Sequence, residues 1–325
     1  MRNISDVNVA VIGGAGFLGS HLVDYLIENR NCNVIVLDNL ISGRRDFIHP
    51  KAIFLWHDIT HSEMTTFGIF RDYKIDYVFN YAAEPYVPLS YERPLHIFKI
   101  NAMGALKCIN AAMSLPRIKG FLQISSAEIY GDVSGKIKET SPVKAHSSYG
   151  SSKLAIDMLI QARYREAKIR AISLRQFNCV GERDILHPYV IPEIIYQAKK
   201  SNVIRLGNNT QRDFLYAGDQ AKCAVELLEK GEFGEVYNLG SEEVIKIYDL
   251  AKLIGRIMGK DIVVQTDQWR RRPWDIESLW SDNSKIYSVI DYRPQVNLEE
   301  ALRRTIRDLE RRYEEITSIW PKIRR

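Results

Sequence analysis

Apolar residues in this chain fall into short runs separated by longer stretches in which they recur every three or four positions. The runs are residues 7–12, 33–37, 52–55, 77–80, 120–124 and 170–174. Each has the length of a strand buried on both faces. Leu22, Tyr25 and Leu26 mark a helical stripe after the first run, and residues 66–73, 95–113 and 149–167 read as helices. Strands separated by helices predict an α/β fold with a parallel sheet covered on both faces. The right-handed rule for crossovers makes it doubly wound.

The rhythm breaks after about residue 178. Helices are expected at 188–200, 217–229, 247–258 and 298–313, with strands at 203–206 and 235–239. This predicts a first domain of residues 1–177, to which segments near 213–240 return. A smaller α+β C-terminal lobe is then built from 178–212 and 241–325.

Composition narrows the class without naming it. The 325 residues are 46% hydrophobic and 26% charged, an ordinary globular balance. No run approaches the roughly 20 apolar residues of a membrane span, and no signal peptide is seen. The excess of 45 Lys+Arg over 40 Asp+Glu is small and dispersed, so neither nucleic acid nor membrane is expected as a partner. The basic stretch 303–325 interleaves Glu with Arg and reads as a solvated helix face. Cys32, Cys108, Cys179 and Cys223 are scattered, with no zinc spacing, so no metal is expected. Free thiols point to a reducing, cytoplasmic setting.

Gly13-Gly14-Ala15-Gly16-Phe17-Leu18-Gly19 joins the first strand to the first helix. Glycines let a backbone approach a pyrophosphate, and a helix N-terminus adds N–H donors and a positive dipole. The GxxGxxG spacing differs from GxGxxG, but it follows a strand, opens a helix, and is answered by Asp38 at the end of the next strand. That is the dinucleotide arrangement of a Rossmann domain. An acidic residue there accepts from a ribose 2′-hydroxyl and repels a 2′-phosphate, which favours NAD over NADP. Arg44 and Arg45, close by, argue the other way.

Tyr149 and Lys153 are four residues apart, on one face of a predicted helix. A phenol ordinarily titrates near 10, too high for a base at neutral pH. A neighbouring ammonium and a cationic nicotinamide ring both favour the phenolate, which could then take a proton from a sugar hydroxyl. Ser125-Ser126-Ala127-Glu128 follows the strand at 120–124, at the end of a strand where doubly wound sheets bind ligands. Ser126 is placed to hydrogen-bond the reacting hydroxyl, and Glu128 to take or give a second proton.

The strings GGAGFLGSHL (13–22), LDNL (37–40), HDI (57–59), NYAAEP (80–85), SSAEIYG (125–131), YGSSK (149–153), LRQFNCVG (174–181), RDFLY (212–216) and RRPWD (271–275) resemble the extended short-chain dehydrogenase/reductases that modify nucleotide sugars. The resemblance covers essentially the whole chain. It implies NAD contacts from Gly13, Gly16, Phe17, Leu18, Gly19, Asp38 and Asn39, with Asp58 and Ile59 at the adenine. Ala82, Ala83, Tyr149 and Lys153 would lie nearer the ribose and nicotinamide, and Asn101 would support the cofactor side. Ser126, Tyr149 and Lys153 would be the catalytic trio. Glu84, Ser126, Asn178, Arg212 and Arg272 would hold a nucleotide-diphosphate sugar, an arginine fork suiting the diphosphate. The loop 207–211 would border the base. Members typically form homodimers through two helices, here 95–113 and 149–167.

The resemblance leaves the reaction open. All versions begin with loss of the C4 hydroxyl proton to Tyr149 and of hydride to NAD, which yields a 4-keto sugar. A 4-epimerase needs no second base, and typical members are small or uncharged where Glu128 stands. A 4,6-dehydratase needs a base for C5–H, which Glu128 fits, although Ala127 replaces the acid that many dehydratases carry beside it. The stretch 271–285 also looks like the dehydratase side. A decarboxylase is disfavoured by Gly150 after the tyrosine, where an acidic residue is usual. The expected activity is a 4,6-dehydratase, with a 4-epimerase (resembling UDP-glucose 4-epimerase) as alternative, UDP-glucuronate decarboxylase further off, and a non-catalytic NAD-binding protein remote.

Overall fold

The structure, a computed structural model, describes residues 2–184, 189–272 and 274–313. Pro188, Pro273 and the basic tail from 314 onward lie outside them.

In chain order the first half contains β1 (Asn8–Ile12), α1 (Phe17–Arg30), β2 (Asn33–Asp38), β3 (Ile53–Trp56), α2 (Glu63–Asp72), β4 (Tyr77–Asn80), α3 (Val87–Glu92), α4 (Pro94–Phe98), α5 (Ala105–Met113), β5 (Gly120–Ser126), α6 (Ser148–Ala167) and β6 (Ala171–Gln176). The second contains β7 (Asn178–Val180), α7 (Val190–Lys200), β8 (Val203–Leu206), β9 (Gln211–Tyr216), α8 (Ala217–Lys230), β10 (Val236–Leu239), β11 (Val244–Lys246), α9 (Ile247–Ile257), β12 (Val263–Thr266), β13 (Ser278–Leu279), α10 (Ser284–Tyr287) and α11 (Leu298–Arg311).

The doubly wound sheet is present. Seven strands pair in parallel in the order β10-β6-β5-β4-β1-β2-β3. Every residue of β4, β5, β6 and β10 is buried, as expected of strands covered on both faces. Leu22, Val23 and Leu26 of α1 pack on one face with Leu227 and Leu228 of α8. Cys108 and Ile109 of α5 and Ile156 and Ile160 of α6 pack on the other. The strand order reverses between β1 and β4, the place where such sheets open a ligand crevice.

A second sheet, β11-β9-β13 with β7 also on β9, and the pair β12-β8 lie in the second half, over a separate apolar core from α7, α9 and α11. Asp213 of β9 ties together the segments that precede β11 and follow β13. It accepts from the backbone and hydroxyl groups of both Ser241 and Ser281.

Two expectations are adjusted. The helix expected at 95–113 begins at Pro94 and contains a π turn at Lys99–Gly104. β7, β9, β11, β12 and β13 were not anticipated. They are two to six residues long, and β9 carries a buried Arg212 and Asp213, so neither length nor apolar alternation announces them.

Candidate active site

One cleft of about 500 Å³ opens at the carboxyl ends of the main strands and runs beneath the second half of the chain. Among the residues expected at the site, all but Asn101 line it.

The glycine loop forms its floor. Gly13 has φ +77°, and a Cβ there would sit 2.5 Å from the Ala82 nitrogen; a Cβ on Gly19 would sit 2.1 Å from the Gly13 oxygen. Neither position accepts a side chain. The first turn of α1 has no acidic residue and no side-chain cap on its N-terminal N–H groups, so its positive end faces the cleft uncompensated. Asp38 accepts from Ala15 N at 3.0 Å and Leu40 N at 2.8 Å. Burial nevertheless pushes its carboxyl above the usual range. Asn39 donates to Asp58 at 3.0 Å, tying the ends of β2 and β3. Arg44 pairs with Asp46 at 2.9 Å, and Arg45 lies 4.1 Å over the Phe54 ring. Neither lines the cleft, so the cationic argument for a 2′-phosphate loses its geometry. Loop, dipole and acidic residue fit NAD.

The chemistry-bearing groups sit at the ends of β5 and α6. Ser126 ends β5 and accepts from Glu128 N at 3.2 Å, fixing a turn that swings Glu128 into the cleft. Ser147 caps α6 by accepting from Gly150 N at 3.0 Å, which orients Tyr149 at the helix start. The Ser126 side chain bears on the Tyr149 phenol and favours its ionised form. Lys153 donates to Ile124 O at 3.0 Å and stands 6.0 Å from the Tyr149 ring centroid. Burial pulls the Lys153 ammonium down to about 8, against the pull of Asp157. One turn behind, Asp157 is paired with Arg175 at 2.6 Å in the core.

The phenolate expectation needs correcting for the protein by itself. Burial drives the Tyr149 phenol above its ordinary range, and the charges of Glu128 and Glu84 push the same way. The chain's own groups hold it as a neutral phenol. Burial also raises the Glu128 carboxyl, with Arg212 and Arg272 drawing it back toward ionisation.

The far wall comes from the second half. Arg212 donates to Asp275 at 2.9 Å and to Ile276 O at 2.9 Å, so part of its fork is already engaged. The backbone carbonyl of Arg272 accepts from Asn208 at 3.0 Å, which joins the loop after β8 to the wall. Gly207, Asn208 and Thr210 border the cleft, where the loop 207–211 was expected. Asn101 stands apart. It is buried in the π turn, accepts from Glu84 N at 2.8 Å, and donates to Glu84 O at 3.1 Å and to Ser152 at 3.1 Å.

Among the described residues, five buried polar atoms facing this cleft have no hydrogen-bond partner: Ser125 Oγ, Gln176 Oε1, Asn178 Oδ1, Arg183 Nη1 and Tyr189 Oη. Buried polar groups are almost always satisfied, so such a concentration marks a polar-ligand site. Sequence reasoning found only Asn178 of the five. Gln176 was within reach, two residues away in the same string; Tyr189 carries no local signal. Asp184, also on the wall and also missed, is pushed up to about 7 by burial.

The sequence profile of the NAD dependent epimerase/dehydratase family matches residues 9–240. The fold superposes on the UDP-glucose 4-epimerase of Thermotoga maritima, solved with UDP-glucose, with a TM-score of 0.87 at 30% identity, covering 94% of this chain and 99% of that one. It superposes on the dTDP-glucose 4,6-dehydratase of Bacillus anthracis, solved with NAD, with a TM-score of 0.84 at 25% identity, covering 95% and 98%. The dTDP-D-glucose 4,6-dehydratase of Mus musculus is 30% identical over 321 residues, covering 92% of this chain and 87% of that protein. Sheet, glycine loop and matched sequence agree: the chain belongs to the NAD dependent epimerase/dehydratase family, the extended short-chain dehydrogenase/reductases, and its cofactor is NAD.

Proposed function

We propose that this enzyme is a nucleotide-diphosphate-sugar 4,6-dehydratase. The observation that carries the reading is Glu128, a carboxylate in the cleft beside Ser126, Tyr149 and Lys153. Ser126 and Tyr149 hold the C4 hydroxyl, and Tyr149 takes its proton. NAD, when bound, supplies the hydride acceptor and a positive charge beside the phenol. The resulting ketone acidifies C5–H, Glu128 removes that proton, and the C6 hydroxyl departs as water. Arg212 and Arg272 favour the ionised form of Glu128 that a base requires. Arg212, Arg272 and Asn178 grip the diphosphate, and the molecule works as a homodimer.

Relatives of both activities at equal identity support a second reading, 4-epimerisation, in which the keto sugar turns over and no C5 proton is lost. Mass spectrometry separates the two. With NAD and a panel of nucleotide sugars, the dehydratase gives a product lighter by one water; an isomer of unchanged mass would sink this reading. Glu128→Gln is expected to leave C4 oxidation detectable while slowing water loss at least about 100-fold.

A further inference from the structure

Loss of water requires two proton transfers: one off C5, and one onto the departing C6 oxygen. Glu128 accounts for the first. Two carboxylates bear on the Tyr149 phenol, Glu128 and Glu84, and both line the cleft. They arrive from different strands. Glu128 follows β5, whereas Glu84 follows β4.

The structure holds Glu84 in place with unusual care. Its backbone N–H and C=O are both clamped by Asn101, at 2.8 and 3.1 Å, and Asn101 also bonds Ser152 of α6 at 3.1 Å. Asn101 reaches both because it sits in the π turn; such turns gather at functional sites. The clamp therefore ties Glu84 to the helix that carries Tyr149 and Lys153. One carboxylate oxygen accepts from Tyr86 N at 3.2 Å.

The two carboxylates have different surroundings. Glu128 faces Arg212, Arg272 and His146, with Asp275 opposing them. Glu84 faces the imidazole of His96 of α4, together with the phenols of Tyr149 and Tyr189. Burial is the largest influence on both carboxyls and favours the protonated form of each; what separates them is the pair of guanidinium groups that draws Glu128 back toward ionisation. Paired groups whose environments separate their proton affinities divide into acid and base.

We propose that Glu84 is the general acid that protonates the leaving C6 hydroxyl. This assignment rests on the dehydratase reading. The Glu84 O–H proton passes to the C6 oxygen as the C6–O bond breaks. The C5–H electron pair becomes the C5–C6 double bond, and its proton goes to Glu128. Water leaves, and Glu128 later returns its proton to C5 as hydride returns to C6. Tyr149 ends the cycle one proton richer and Glu84 one poorer, so transfer between these neighbours resets both.

Fluoride at C6 leaves without protonation, which isolates the acid. The experiment compares wild type, Glu84→Gln and Glu128→Gln on UDP-, dTDP-, GDP- and CDP-hexoses and on their 6-deoxy-6-fluoro analogues, reading water loss by mass and fluoride by ¹⁹F resonance. Glu84→Gln is expected to lose about 100-fold in water elimination, in line with a typical general acid, yet release fluoride within a few-fold of wild type. Glu128→Gln is expected to lose both. Water loss that survives Glu84→Gln, or equal loss on both substrate types, overturns the assignment and leaves the dehydratase reading standing. Failure of the wild type to lose water from any hexose overturns both.

Discussion

At the scale of single residues, burial sets the chemistry. Lys153 is 2% exposed, and its ammonium titrates near 8, below the ordinary value of 10.5. Between those values the unfolded chain binds a proton that the folded chain does not. Stability from this residue is therefore complete above about 10.5 and is lost as pH falls through 8. Urea titrations should show wild type gaining about 3 kcal/mol more than Lys153→Met between pH 8 and 10.5. Parallel curves for the two proteins would mean that the ammonium is solvated. The same burial keeps Tyr149 a neutral phenol, so in the proposed reaction its ionisation would draw on the positive charge of bound NAD.

At the scale of elements, β1, the glycine loop and α1 form a unit whose every part was legible. Apolar runs announce buried parallel strands, and glycine spacing announces a turn no other residue can make. Gly19→Ala places a Cβ 2.1 Å from the Gly13 oxygen, so it should abolish NAD binding in calorimetry; unchanged affinity would show that the loop yields. The same titration on the wild type should favour NAD over NADP, given how Arg44 and Arg45 are engaged. The second half was less legible. Its strands are short, and they bury charge: Arg212 and Asp213 occupy consecutive buried positions of β9 because the partners that satisfy them are Asp275, Ser281 beyond β13 and the 240–242 turn. Such partners are distant in sequence, so no local pattern encodes them. Tyr189 was missed for the same reason, since its place beside Tyr86, with ring centroids 5.9 Å apart, is a tertiary contact. Asn101 is expected from the sequence to support the cofactor side; the π turn shows how it holds Glu84 and Ser152.

At the scale of the whole molecule, α3 to α6 present Leu95, Met103 and Met158 at 85%, 57% and 50% exposure, with Tyr91 and Phe98 nearby in sequence. Exposed apolar groups gathered on neighbouring helices are what a symmetric interface covers. Light scattering at micromolar concentration should return twice the 37.5 kDa chain mass, and a monomer would refute the dimer. The cleft lies between the two halves, so neither holds a complete site.

The strand order has one more consequence. β10, from residues 236–239, supplies the outer neighbour of β6 in the nucleotide-binding sheet. Without it, the backbone amides and carbonyls on that side of β6 would be bare, an adhesive margin that recruits strands from other copies. The later half of the chain thus guards the earlier half against self-association. A ribosome that has completed only β6 has made a sheet whose β6 edge is still open.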